Sequence, residues 1–164
     1  MRAVNLLLLA SVIGIELFIG IVVTSYIFYP PSGLDGEILL DRFESGLIMT
    51  QIFLKFAYFL LFVSFVNAVY ESFSKDKKLK ILKIILSVII LALSLLFLFY
   101  YTLPMLDFQV QVMSKELDIS YFASEDFASF HKQSELLAKI LVIFQAILFF
   151  LSFKTADKAY NDKS

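Results

Sequence analysis

The sequence predicts an all-α, polytopic membrane protein: a four-transmembrane-helix bundle in one domain, with both termini cytoplasmic. Three observations predict it. Of the 164 residues 60% are hydrophobic and only 18% charged, whereas soluble domains average about 45–50% apolar and about 25% charged. The apolar residues fall into four long runs. Basic residues gather on one side of the topology that those runs define.

The first run covers 4–29, opening behind Arg2. It is about twice as long as the apolar core of a secretory signal and no A-x-A-like site closes it, so it reads as an anchor that stays in place. The second covers 47–69, the third 81–103 and the fourth 136–153, giving 26, 23, 23 and 18 residues. About 20 residues cross roughly 30 Å of hydrocarbon as a helix. In lipid each backbone group must bond within its own segment, which selects helices. Pro30 and Pro31 follow the first run and Pro104 follows the third, where a residue without an N–H is tolerated.

Two connections fall on the outer side. Residues 30–46 carry Gly33 and Gly36 and read as a short loop. Residues 104–135 form the larger piece, in which 107–113 alternates apolar Phe108, Val110 and Val112 with Gln109 and Gln111, the period of a short extended stretch. From Ser124 the signals turn helical. Ser124 is placed as an N-cap, with Glu125 and Asp126 at the positive helix end, so the fourth helix starts outside the bilayer. Residues 70–80 connect the second and third spans on the inner side.

Charge sets the orientation. With an even number of spans, Arg2, Lys75, Lys77, Lys78, Lys80, Lys83, Lys154, Lys158 and Lys163 share the side of the termini with Glu71, Asp76, Asp157 and Asp162. The other side holds Arg42, Lys115 and Lys132 against ten acids. The net charge of −1 is thus the remainder of +5 inside, −7 outside and +1 within the spans. Nine bases against three place the termini in the cytoplasm.

Several chemistries are excluded. Without cysteine there are no disulfides, thiolate metal sites or cysteine nucleophiles, and one histidine supplies neither a metal cluster nor paired haem ligands. The five glycines are scattered at 14, 20, 33, 36 and 46, so no phosphate loop exists. A net charge of −1 without a basic domain argues against nucleic acid. No nucleophile–base pair or metal set is visible; the expectation is no enzyme, no cofactor and no metal.

The sharpest signals are polar residues at membrane depth, each charge costing roughly 2.5–3.5 kcal/mol at a helix centre on insertion scales. Glu16 lies twelve residues into the first span, with Asn5, Gly20 and Thr24 near one stripe. Lys55 has Gln51 at i−4 and Tyr58 at i+3. At 1.5 Å per residue, Glu16 sits about 20 Å and Lys55 about 12–14 Å below the outer surface, a difference a lysine can span. A Glu16–Lys55 ion pair is feasible, either fixing helix register or serving a proton, ion or polar substrate. Lys139 and His131 lie at the outer boundary, Lys139 four residues after Glu135 and placed to pair with it. Ser134, Ala138, Gln145 and Ser152 on the fourth helix, Ser87, Ser94 and Tyr101 on the third, and Ala10 with Gly14 on the first have the spacing of helix-packing stripes.

Phe18-x-Gly20 through Ile27-Phe28-Tyr29-Pro30, Phe43-Glu44-Ser45-Gly46, Pro104, and Phe127-x-x-Phe130-His131-x-x-Ser134 together resemble the bacterial membrane proteins of the domain-of-unknown-function 4149 family. That family is similar to the transmembrane-protein-205-like proteins. The resemblance implies a four-helix membrane protein without an established activity. Its pattern often has an Asn where this chain has Ala138. A more distant likeness to copper-resistance D-type and haem-pathway four-helix proteins implies intramembrane histidines, which this chain lacks.

The leading functional expectation is a non-enzymatic accessory or envelope-associated protein, embedded in the lipid bilayer beside a membrane-protein partner or a second copy. The alternative is a small transporter or channel component with a polar or proton path at Glu16 and Lys55. An integral-membrane enzyme ranks third.

Overall fold

The computed structural model describes residues 2–29, 40–74, 79–120 and 124–161, with side chains for all of these but residue 126 and residues 155–161. The described chain folds into four long helices: α1 (Arg2–Phe28), α2 (Arg42–Phe73), α3 (Lys80–Met113) and α4 (Glu125–Asn161). All four are long and apolar enough to cross a membrane, the qualifying stretch of α4 being Phe127–Lys154. The chain is a multi-pass membrane protein. Residues 30–39 and 75–78, with Pro30, Pro31, Gly33, Gly36 and the lysines at 75, 77 and 78, lie outside the described residues.

Packing follows spacing. On α1 the buried positions are Asn5, Leu9, Val12, Glu16 and Ile19, alternating steps of four and three that keep one stripe on one side of a helix. On α4 the buried positions Leu137, Leu141, Gln145, Leu148 and Ser152, in steps of four and one of three, likewise keep to one side. Helix α1 packs against α2 and α4, and α3 against α2 and α4, so the helices close a ring in chain order. Phe56, Leu60 and Val63 of α2 and Ile90, Phe97 and Leu98 of α3 complete the apolar interior. Large apolar side chains point the other way: Leu7, Ile21, Phe62, Ile81 and Phe150 are each more than half exposed. An apolar exterior around an interior holding Asn5, Glu16, Asn67, Glu71, Lys83 and Gln145 suits lipid as the surrounding solvent.

The helices outrun the apolar runs. Helix α2 starts at a capping box, with the Glu44 N–H donating to Asp41 Oδ1 (2.7 Å) and the Asp41 N–H to Glu44 Oε2 (3.0 Å). Helix α4 starts where the N-cap was expected, the Phe127 N–H donating to Ser124 Oγ at 3.2 Å. The 107–113 stretch is not extended; it is the last part of α3. The strand-like alternation is overridden by a tertiary contact: Gln109 turns inward and donates to Thr50 on α2 at 2.7 Å, while Val110 faces out. Nor does Pro104 end the third helix. A π-helical segment, Phe97–Thr102, precedes it, so the Leu103 N–H already bonds back to Leu98 O, and Pro104 enters at the first turn of a restarted α-helical ladder. The outer connection shrinks accordingly. Its first part is a Schellman turn, the Glu116 N–H bonding to Gln111 O and the Lys115 N–H to Val112 O, with Lys115 at φ 63°. Beyond it the Ser120 hydroxyl, together with the Ser120 N–H that donates to Asp118 Oδ1 at 2.7 Å, holds the Asp118 carboxyl below the usual carboxylate range.

A second π segment, Ile19–Val23, interrupts α1. Both end on a threonine hydroxyl bonded five residues back, Thr24 to Ile19 O and Thr102 to Phe97 O, each at 2.9 Å. The wider turn shifts the register of α1 after Glu16, so Gly20 faces outward, away from the stripe expected to hold it with Glu16. Ala10 and Gly14 are also outward, with nothing within 4 Å of a Cβ placed on Gly14, and this pair packs no helix of the bundle.

Candidate functional site

The polar interior is built one helix at a time. Asn67 and Glu71, four residues apart on α2, fall one above the other on its inner face, and Lys83 and Ser87 do so on α3. Asn5 of α1 and Ser152 of α4 arrive from the remaining sides. The Asn67 amide donates to Asn5 Oδ1 at 3.1 Å, and Ser87 donates to Asn67 Oδ1 at 2.8 Å. Toward the helix ends, Lys83 Nζ lies 3.2 Å from Glu71 Oε2, and the Ser152 hydroxyl donates to Glu71 Oε1 at 3.0 Å. Arg2 reaches the Ser152 carbonyl at 3.5 Å. Six buried side chains from four helices therefore share two linked sets of bonds.

Electrostatically, the Glu71–Lys83 pair is the extreme case, with 0% and 2% exposure. An ion pair so buried holds together because each charge solvates the other; removing one partner leaves an uncompensated charge and costs about 3–5 kcal/mol. Ser64 and Ser94 add a bridge between α2 and α3 at 2.9 Å, and Tyr101 donates to Gln133 at 3.3 Å. Ser87, Ser94 and Tyr101 thus do the packing work their spacing predicted. Among the described residues no three His, Asp or Glu side chains converge as a metal ion would require.

The sequence-predicted residues separate into three places. Glu16 and Gln145 are buried and approach one another between α1 and α4, short of a hydrogen bond. Lys55 does not join them. It is exposed with Gln51 on an outer groove of α1 and α2, lined also by Ile15, Ile19 and Phe59, so the feasible Glu16–Lys55 ion pair does not form. Helical geometry explains the separation: Lys55 precedes Phe56 and Ala57, which take the inward side of that turn. Tyr58 is on a different groove, with Phe62 and Leu95. At the outer boundary Glu135 bridges His131 (3.2 Å) and Lys139 (3.5 Å), all about half exposed or more, as the i+4 spacing required of Lys139.

Sequence reasoning missed Glu71 and Lys83 as a site. Both counted only as inner-side charges, Glu71 two residues beyond the end of the second run and Lys83 in the first turn of the third. The available signal was the i+4 pairing of Asn67 with Glu71 and of Lys83 with Ser87, on either side of a short connection. Thr50 with Gln109 was missed for a related reason, since 107–113 was read as extended.

Against known proteins, the model of the family described as a domain of unknown function, DUF4149, matches residues 7–114, and the chain belongs to that family. No curated protein and no solved structure gives a significant match.

Proposed function

We propose that this member of the DUF4149 family is a non-enzymatic, accessory or envelope-associated protein of the bacterial inner membrane, akin to the transmembrane-protein-205-like proteins, with both termini cytoplasmic. Its work is to hold a rigid, lipid-embedded surface for a membrane-protein partner. The carrying observation is that six buried polar side chains, drawn from all four helices, bond one another as Asn5–Asn67–Ser87 and Ser152–Glu71–Lys83. Such bonds specify neighbours and register in lipid, where apolar contact alone cannot. Orientation is supported by charge: setting aside the mutually compensated Glu71 and Lys83 leaves eight bases inside against three outside.

The alternative, a transporter or channel component with a polar or proton path at Glu16 and Lys55, has the burial of Glu16 in its favour and the outward position of Lys55 against it. Isolation of the full chain at native abundance in mild detergent tests the proposal. A stoichiometric membrane-protein partner supports it. A clean monomer or homodimer, with proton or solute flux in vesicles that Glu16→Gln abolishes, replaces it with the alternative.

A further inference from the structure

Unlike Glu71, Glu16 has no cation or hydroxyl bonded to it. It is 8% exposed and Gln145 is 1% exposed, facing it from α4. Both carboxyl oxygens of Glu16 and both polar atoms of the Gln145 amide lack a hydrogen-bond partner. Unpaired polar atoms in such a place are costly and call for a partner. A carboxylate offers acceptors only, so it matches the Gln145 N–H but opposes the Gln145 oxygen. The acid form offers one donor and one acceptor, the mirror image of a primary amide. One proton lets all four atoms pair at once.

We propose that Glu16 and Gln145 form a proton-binding site within the bundle. The carboxylate takes one proton from the water phase. The new O–H donates to Gln145 Oε1, and Gln145 Nε2 donates to the other Glu16 oxygen, closing a ring that clamps α1 to α4. No other bond forms or breaks, and the site gains one positive charge.

A second observation lies beside it. The π segment Ile19–Val23 begins three residues after Glu16. Such segments recur at functional sites in helices because the wider turn permits local rearrangement, here the small movement that brings the two side chains into bonding range. The charged groups around the site leave the proton as the natural partner. On α2, Lys55 faces the outer groove and Glu71 is paired with Lys83. On α4, residues 140–153 carry no charge, and Lys139 is exposed and bonded to Glu135. The other buried carboxylate, Glu71, is neutralised by Lys83 without a proton, and the inference does not depend on whether the protein has a partner.

Infrared difference spectra of the full chain in phosphatidylethanolamine–phosphatidylglycerol nanodiscs, recorded between acid and alkaline pH, test it. The result expected is a carboxylic-acid C=O band that disappears as pH rises, is missing in Glu16→Gln, is displaced in Gln145→Met and is unmoved in Lys55→Met. If Gln145→Met fails to fold, Gln145→Asn, whose amide is one methylene short, must displace the band in its place. In the unmodified chain a hydrophobic carbodiimide, which adds to the acid form of a carboxyl, must modify Glu16. A band that survives Glu16→Gln, a band indifferent to both Gln145 variants, or carbodiimide modification only elsewhere overturns the proposal.

Discussion

Glu71 and Lys83 carry opposite charges into the same dry space, and neither tolerates losing the other. Glu71→Gln and Lys83→Met should each destabilise the bundle by about 3–5 kcal/mol, and the double variant should recover most of that loss; thermal unfolding in detergent reads the difference. A smaller effect belongs to Lys115, an exposed residue at φ 63° where glycine carries no steric penalty. Lys115→Gly should raise stability by about 1 kcal/mol, checked by the same melt. At this scale the sequence was informative wherever a polar residue stood well inside an apolar run, as Glu16 does. It was silent at Glu71, whose burial comes from a helix continuing past the end of its apolar stretch, and at Lys83, which stands in the first turn of the third run and counted only toward the inner charge. It also misjudged Lys55, because depth along a helix says nothing about which side the residue takes; Phe56 and Ala57 occupy the inward side instead.

Local signals start and stop the helices, and apolar runs do not. The Asp41–Glu44 capping box starts α2 five residues before its apolar run begins. Asp41→Ala should cost about 1 kcal/mol and speed amide exchange at Glu44 while leaving the later turns of α2 protected, an outcome hydrogen-exchange mass spectrometry resolves. Ser124 was legible as a cap because serine before two acids has a local meaning. The continuation of α3 through Pro104 was not, since it depends on the hydrogen-bond shift of the preceding π segment, held by Thr102, and on an inward contact of Gln109 with a helix far away in sequence. Period-two alternation over seven residues is the signal of a strand, and here the tertiary bond of Gln109 to Thr50 overrides it.

The whole molecule departs from the pattern of a soluble protein: large phenylalanines and isoleucines cover the outside, while amides, hydroxyls and an ion pair share the interior with an apolar core. Composition made the four spans legible, and loop charge made an orientation legible. Which helices touch was not, because polar contacts between helices depend on the angular position of each residue. A closed scaffold keeps water out of its interior even though that interior is polar. The chain has no cysteine, so single thiols report this directly. In intact inside-out vesicles, Lys80→Cys should react with a membrane-impermeant maleimide and Glu116→Cys should not, as cytoplasmic termini require. The decisive sites are Ser64 and Ser94, buried partners 2.9 Å apart between α2 and α3. Ser64→Cys and Ser94→Cys should stay unmodified in vesicles of either orientation and react only once the bundle is unfolded. Modification of either thiol in the native bundle at the rate seen for Lys80→Cys would mean a water-filled path through the helices and would contradict the closed scaffold.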